Sequence, residues 1–125
     1  MDKIKRVEES EVFKRSHQCT LLIYKITKTF PSLEKFGLVP QMTRAAASLC
    51  TNLMEGSHCL NRAEYRQFTG IAKGSAGELK YQLTLAKDLG YLVEDEYNRL
   101  KFELEEISRM LNGLIKALSS TKHRH

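Results

Sequence analysis

A chain of 125 residues with two prolines, seven glycines, no tryptophan and abundant Leu, Lys, Glu and Ala fits one all-helical domain, with room for a core that needs no disulfide staples. Its charge is +5, so the composition is not that of an acidic binder and leaves nucleic acid open as a partner. The three cysteines, Cys19, Cys50 and Cys59, are odd in number and show no CxxC spacing, which argues against a disulfide framework and a zinc ribbon and for reduced, cytoplasmic usage. The first eleven residues are charged, and no apolar run approaches the roughly 18 residues that span a bilayer, so no signal peptide and no membrane partner are expected.

Val12, Ser16, Cys19, Ile23, Ile26 and Phe30 recur every three or four residues, which predicts a first helix over about 10–29. Pro31 ends it by disfavouring helical geometry at Phe30. A second helix is expected over about 38–55, with Pro40 tolerated in its first turn and Gly56 as its left-handed terminator. Asn61 and Glu64 read as a capping box opening a third helix over 62–88, closed by Gly90. Glu94, Asp95 and Glu96 then favour a fourth helix start over about 94–118. In that helix Tyr97, Leu100, Leu104, Ile107, Leu111, Leu114 and Leu118 form an unbroken heptad seam. Residues 119–125 read as a basic tail. Four helices with short connections predict an antiparallel, up-down-up-down four-helix bundle occupying residues 1–125.

Two stripes break the usual core pattern. Arg44, Ser48, Asn52 and Glu55 share one face of the second helix, and Gly70, Gly74 and Gly77 share one face of the third. Each glycine costs a helix interior about 1 kcal/mol relative to alanine, so the stripe implies close backbone approach. Pairing the two helices as a hairpin sets Ala47 near Gly70 and Thr43 near Gly74, and brings Arg44 within reach of Glu78. A structural polar network of Arg44, Ser48, Asn52, Glu55 and Glu78 is the resulting expectation, because a charge inside a bundle needs a partner. Such networks more often fix helix register or an oligomer interface than catalyse a reaction.

No catalytic constellation emerges. Ser57, His58 and Cys59 are adjacent on a loop and lack a third orienting group, and the His and Cys positions lack zinc spacing, so no metal and no cofactor are expected. The best functional signal is a basic stripe, Arg62, Arg66, Lys73, Lys80 and Lys87, spaced by four and seven along the third helix. Lys14, Arg15, Lys25 and Lys28 add to it on the first. It points to sequence-tolerant contact with RNA or DNA phosphates. The competing reading is a solvated helix face on a protein-interaction scaffold.

The order of these residues resembles a known family. Phe36-Gly37-Leu38, Arg44-Ala45-Ala46-Ala47-Ser48, Thr51-Asn52, Glu55-Gly56, Ile71-Ala72-Lys73-Gly74-Ser75, Glu78-Leu79, Asp88-Leu89-Gly90-Tyr91-Leu92 and Met110-Leu111-Asn112-Gly113-Leu114-Ile115 are similar to the bacterial four-helix bundle proteins encoded in intervening sequences of 23S rRNA genes. More distantly, the chain is similar to the accessory variability proteins of diversity-generating retroelements. The chain departs from the family pattern at Cys50, where proline is common, at Phe13, where tryptophan is usual, and at Gly77, where a larger residue is more usual. The resemblance implies a homopentameric ring without established enzymatic activity, with nucleic acid or a reverse transcriptase among the partners it suggests.

Overall fold

The structure is a computed structural model that describes residues 10–119. Four helices fill it: α1 (Glu11–Thr27), α2 (Leu38–Ser57), α3 (Arg62–Asp88) and α4 (Glu94–Ser119). Ser10 caps α1 by accepting the Phe13 N–H at 3.3 Å. Before Pro31, the Thr29 and Phe30 N–H groups turn to the carbonyls three residues back, so the α-helix ends at Thr27, two residues earlier than the periodicity implies. A 3-10 turn, Ser32–Glu34, then leads into α2.

Gly56 is not a left-handed terminator. It lies buried inside α2, which continues to Ser57, and its missing side chain serves packing. A Cβ there would sit 2.9 Å from Tyr65 Cδ1 and 3.3 Å from the Tyr65 carbonyl oxygen. Gly90 does take the left-handed conformation, with φ of 85°. The Gly90 N–H donates to Lys87 and the Tyr91 N–H to Ala86, the paired bonds of a Schellman ending for α3. Asn61 caps the start of α3 by accepting the Glu64 N–H at 2.9 Å. Val93 precedes α4, whose first turn carries Glu94, Asp95 and Glu96 on the side the helix dipole favours.

The helices pack in a closed cycle, each against the next and α4 back against α1. Contacts pair them in opposite senses. Gly56 meets Tyr65 and Phe68 near the short connection, while Ser48 meets Ser75 further along. Likewise, Arg62 reaches Ala117 while Thr84 meets Tyr97. The start of α1 and the end of α4 therefore share one end of the bundle with the α2–α3 connection. The other two connections occupy the opposite end. Ile23, Leu49, Leu53, Leu79, Leu83, Leu104, Ile107 and Leu111 are fully buried along the axis. The alternating seam of α4 supplies much of this core, as its spacing predicts.

Candidate interaction faces

The glycine stripe lies on the outside of the bundle. Gly70, Gly74 and Gly77 are exposed, and a Cβ built on any of them meets, beyond the backbone of its own helix, no atom of the described residues within 4 Å. They do not make the close α2–α3 approach expected of them. That approach is made by Gly56, with small residues such as Ala45, Ala46, Ala72, Ser75 and Ala76 buried along the helices. A stripe spaced by four and three fixes which residues share a face, and this face of α3 is turned away from α2 and α4. Tyr81, at 64% exposure, lies on the same outer face, and Ile71, at 49%, flanks it.

The polar stripe on α2 divides in two. Ser48 Oγ lies 2.9 Å from Ser75 Oγ, and Asn52 donates to the Ser48 hydroxyl and carbonyl at 3.0 and 2.8 Å. That is the part of the network which exists. Arg44, Glu55 and Glu78 are exposed, and no ion pair joins them among the described residues. The expectation fails because the stripe runs along the rim of α2, where the side chains reach water and need no buried partner. Among the described residues Glu78 accepts only a long contact, 3.5 Å, from Gln82.

The basic stripe of α3 is largely turned to α4. Lys80 pairs with Glu105 at 3.0 Å, Lys87 lies 4.7 Å from the centre of the Tyr97 ring, and Arg62 donates to the Ala117 carbonyl at 2.8 Å. Lys87 also stands 3.9 Å from Asp88. Arg66 and Lys73 are exposed and carry no ion pair among the described residues. Residues seven apart keep nearly one helical azimuth, and that azimuth borders the acidic helix. On the opposite flank, Arg15 of α1 grips Glu103 of α4 through two nitrogens, at 3.0–3.3 Å. Sequence spacing could not reveal that pair, since 88 residues separate its members.

Two loops meet at the end of the bundle that holds the α1–α2 and α3–α4 connections. The Tyr91 hydroxyl donates to Glu34 at 2.8 Å, while the other Glu34 oxygen accepts the Leu38 N–H at 2.9 Å and so caps α2. The Phe30 and Tyr91 rings pack at 5.2 Å beneath this clasp. Sequence reading overlooked it: Glu34, four residues before Leu38, signals only the bond to the start of α2, and the contact with Tyr91 has no local signal.

Thiols and imidazoles form no reactive set among the described residues. Burial, with a smaller push from the Glu103 carboxylate, raises the Cys19 thiol to about 12. Cys50, half-buried, contacts the Thr20 hydroxyl at 3.5 Å. His58 closes α2 with Nδ1 2.9 Å from the Met54 carbonyl oxygen. No group of three or more His, Cys, Asp or Glu is arranged to hold a metal among the described residues. Likewise, no helix there is long and apolar enough to cross a membrane.

The sequence model of the family described as 23S rRNA-intervening sequence protein matches residues 8–113. A crystal structure of a protein of unknown function from the S23 ribosomal protein family of Bacteroides thetaiotaomicron superposes with a TM-score of 0.76. That protein is 25% identical, and the alignment covers 84% of this chain and 98% of the other. None of the curated proteins matches the chain.

Proposed function

Because the chain belongs to the 23S rRNA-intervening sequence protein family, whose model spans residues 8–113, we propose that it works by assembly and without catalysis. Copies associate through the outer face of α2 and α3. The observation that carries this reading is the glycine stripe: Gly70, Gly74 and Gly77 line open space beside exposed Ile71 and Tyr81, with Arg44 and Glu55 on the neighbouring helix. Three glycines in a helix interior forgo about 1 kcal/mol each, and nothing among the described residues makes use of them. A second backbone lying closer than the usual 8 to 10 Å between helix axes would.

The family resemblance favours a pentameric ring. Such a ring uses two different faces of each copy, since a head-to-tail interface closes only when its rotation returns to the start. The glycine face is one of them.

Light scattering coupled to size exclusion tests this. The expected mass is five times the 14.4 kDa of the chain, and Gly74→Leu should shift it towards the single chain with helical circular dichroism unchanged. A wild-type protein that stays a single chain at high micromolar concentration sinks the reading. Sequence-tolerant nucleic-acid binding along α3 is the weaker alternative. It keeps Arg66 and Lys73, which pair with no acid among the described residues, whereas Arg62, Lys80 and Lys87 are engaged with α4.

A further inference from the structure

The corner where α1 ends and the chain turns into α2 carries an arrangement that neither the glycine face nor the α3 stripe uses. Tyr24, Lys28, Lys35, Val39 and Pro40 line an open cleft of about 290 Å³ between the end of α1 and the start of α2. Tyr24 is 48% exposed. Next to Lys35, Phe36 is 88% exposed, an unusual cost for a large aromatic side chain, and the Lys35 ammonium lies 5.5 Å from its ring centre.

The acid in this corner is spent elsewhere. Glu34 sits beside Lys35 in sequence, yet both its oxygens are occupied, one by the α2 backbone at Leu38 and the other by Tyr91. It forms no ion pair with a lysine, and neither Lys28 nor Lys35 pairs with any other acid among the described residues. Lys25 points to a different cleft, shared with Glu96 and Arg99. What remains is two ammonium groups with no acid partner among the described residues, Lys28 beside Tyr24 in the cleft and Lys35 beside the exposed Phe36 ring.

We propose that this corner binds an unpaired stretch of nucleic acid, with Lys28 and Lys35 on phosphates and the Tyr24 and Phe36 rings as surfaces for bases. Cations alternating with exposed rings suit a single strand, whose bases are free to stack, better than a duplex, whose bases are not. The contacts read no base edge, so the binding is sequence-tolerant. The proposal stands apart from assembly: a single chain presents the whole corner, and the glycine face lies on the other side of α2.

Fluorescence anisotropy with a labelled 12-nucleotide oligouridylate, at low ionic strength, tests it. Lys28→Glu with Lys35→Glu should weaken binding at least tenfold. Replacing the same lysines by alanine should flatten the log–log salt dependence by about 1.4, for two phosphate contacts on a single strand. Phe36→Ala should weaken binding several-fold while leaving the salt dependence in place, a split that a purely ionic patch would not show. Oligothymidylate should compete about as well as the RNA, and a duplex of equal length poorly. All four positions are exposed, and circular dichroism verifies that each variant keeps its helices. The proposal is overturned if wild type does not bind, if the duplex or polyglutamate competes as well as the single strand, or if only Arg66→Glu with Lys73→Glu abolishes binding. A monomeric protein that still binds the oligonucleotide would refute the assembly reading alone, and a pentamer that does not bind would refute this one alone.

Discussion

Gly56 leaves no room for a methyl group, because its neighbours are the Tyr65 ring, the Phe68 Cβ and a backbone carbonyl that cannot step aside. Gly56→Ala is therefore expected to cost about 1 to 3 kcal/mol, read as a lower urea midpoint, by forcing α2 and α3 apart. Tyr91 makes a different kind of contribution. Its hydrogen bond to Glu34, the leading cause, together with burial and the carboxylate charge, raises the phenol above its ordinary value near 10. The folded value exceeds the unfolded one, so the stability it provides is complete below about pH 10 and is lost as pH climbs through the raised value. Thermal melts across the alkaline range should fall more steeply for wild type than for Tyr91→Phe. Equal slopes would mean the clasp does not hold the proton. Ser16 stands at the other extreme, fully buried with a hydroxyl that meets no hydrogen-bonding atom among the described residues. Ser16→Ala should leave stability unchanged or raise it by up to about 1 kcal/mol, since a buried hydroxyl without a partner pays for desolvation and gains nothing.

Among the elements, α4 is the electrostatic counterpart of its neighbours. It bears six acids against four cations, while α1 bears three cations against one acid and α3 five against three. Arg15–Glu103 on one flank and Lys80–Glu105 on the other show where the match is made. Each pair is partly exposed and modest in energy, but together they favour α4 between the two basic helices over other arrangements. The glycine face of α3 leads to a prediction of opposite sign to that for Gly56. Gly70→Ala, Gly74→Ala and Gly77→Ala each remove about 1 kcal/mol of helix penalty and meet open space. Combined, they should stabilise the dissociated chain by roughly 2 to 3 kcal/mol while weakening its self-association, as followed by urea denaturation at low concentration and light scattering at high. A loss of stability in the dissociated chain would show that this face is not open.

At the scale of the molecule, the helices were legible because burial imposes a period, and α4 shows that period without a miss. Where α3 starts and stops was legible at Asn61 and Gly90, whose side chain and backbone freedom do their work locally. The partners of each face were not legible. A stripe of glycines or lysines at spacings of three, four and seven states that the residues share an azimuth, and says nothing of whether that azimuth meets a helix or water. So Gly70, Gly74 and Gly77 read as internal contacts and lie outside, and Arg44 reads as buried and is exposed. Pairs such as Arg15 with Glu103 and Tyr91 with Glu34 join residues 88 and 57 positions apart, beyond the reach of any local pattern. The closed cycle of packing, in which α4 returns to α1 at the end where both begin or finish, carries one more implication. No helix in such a cycle is topologically first. A short linker joining the end of α4 to the start of α1, with the chain reopened between α2 and α3, would preserve every pair of neighbouring helices, and such a circular permutant should fold to the same bundle.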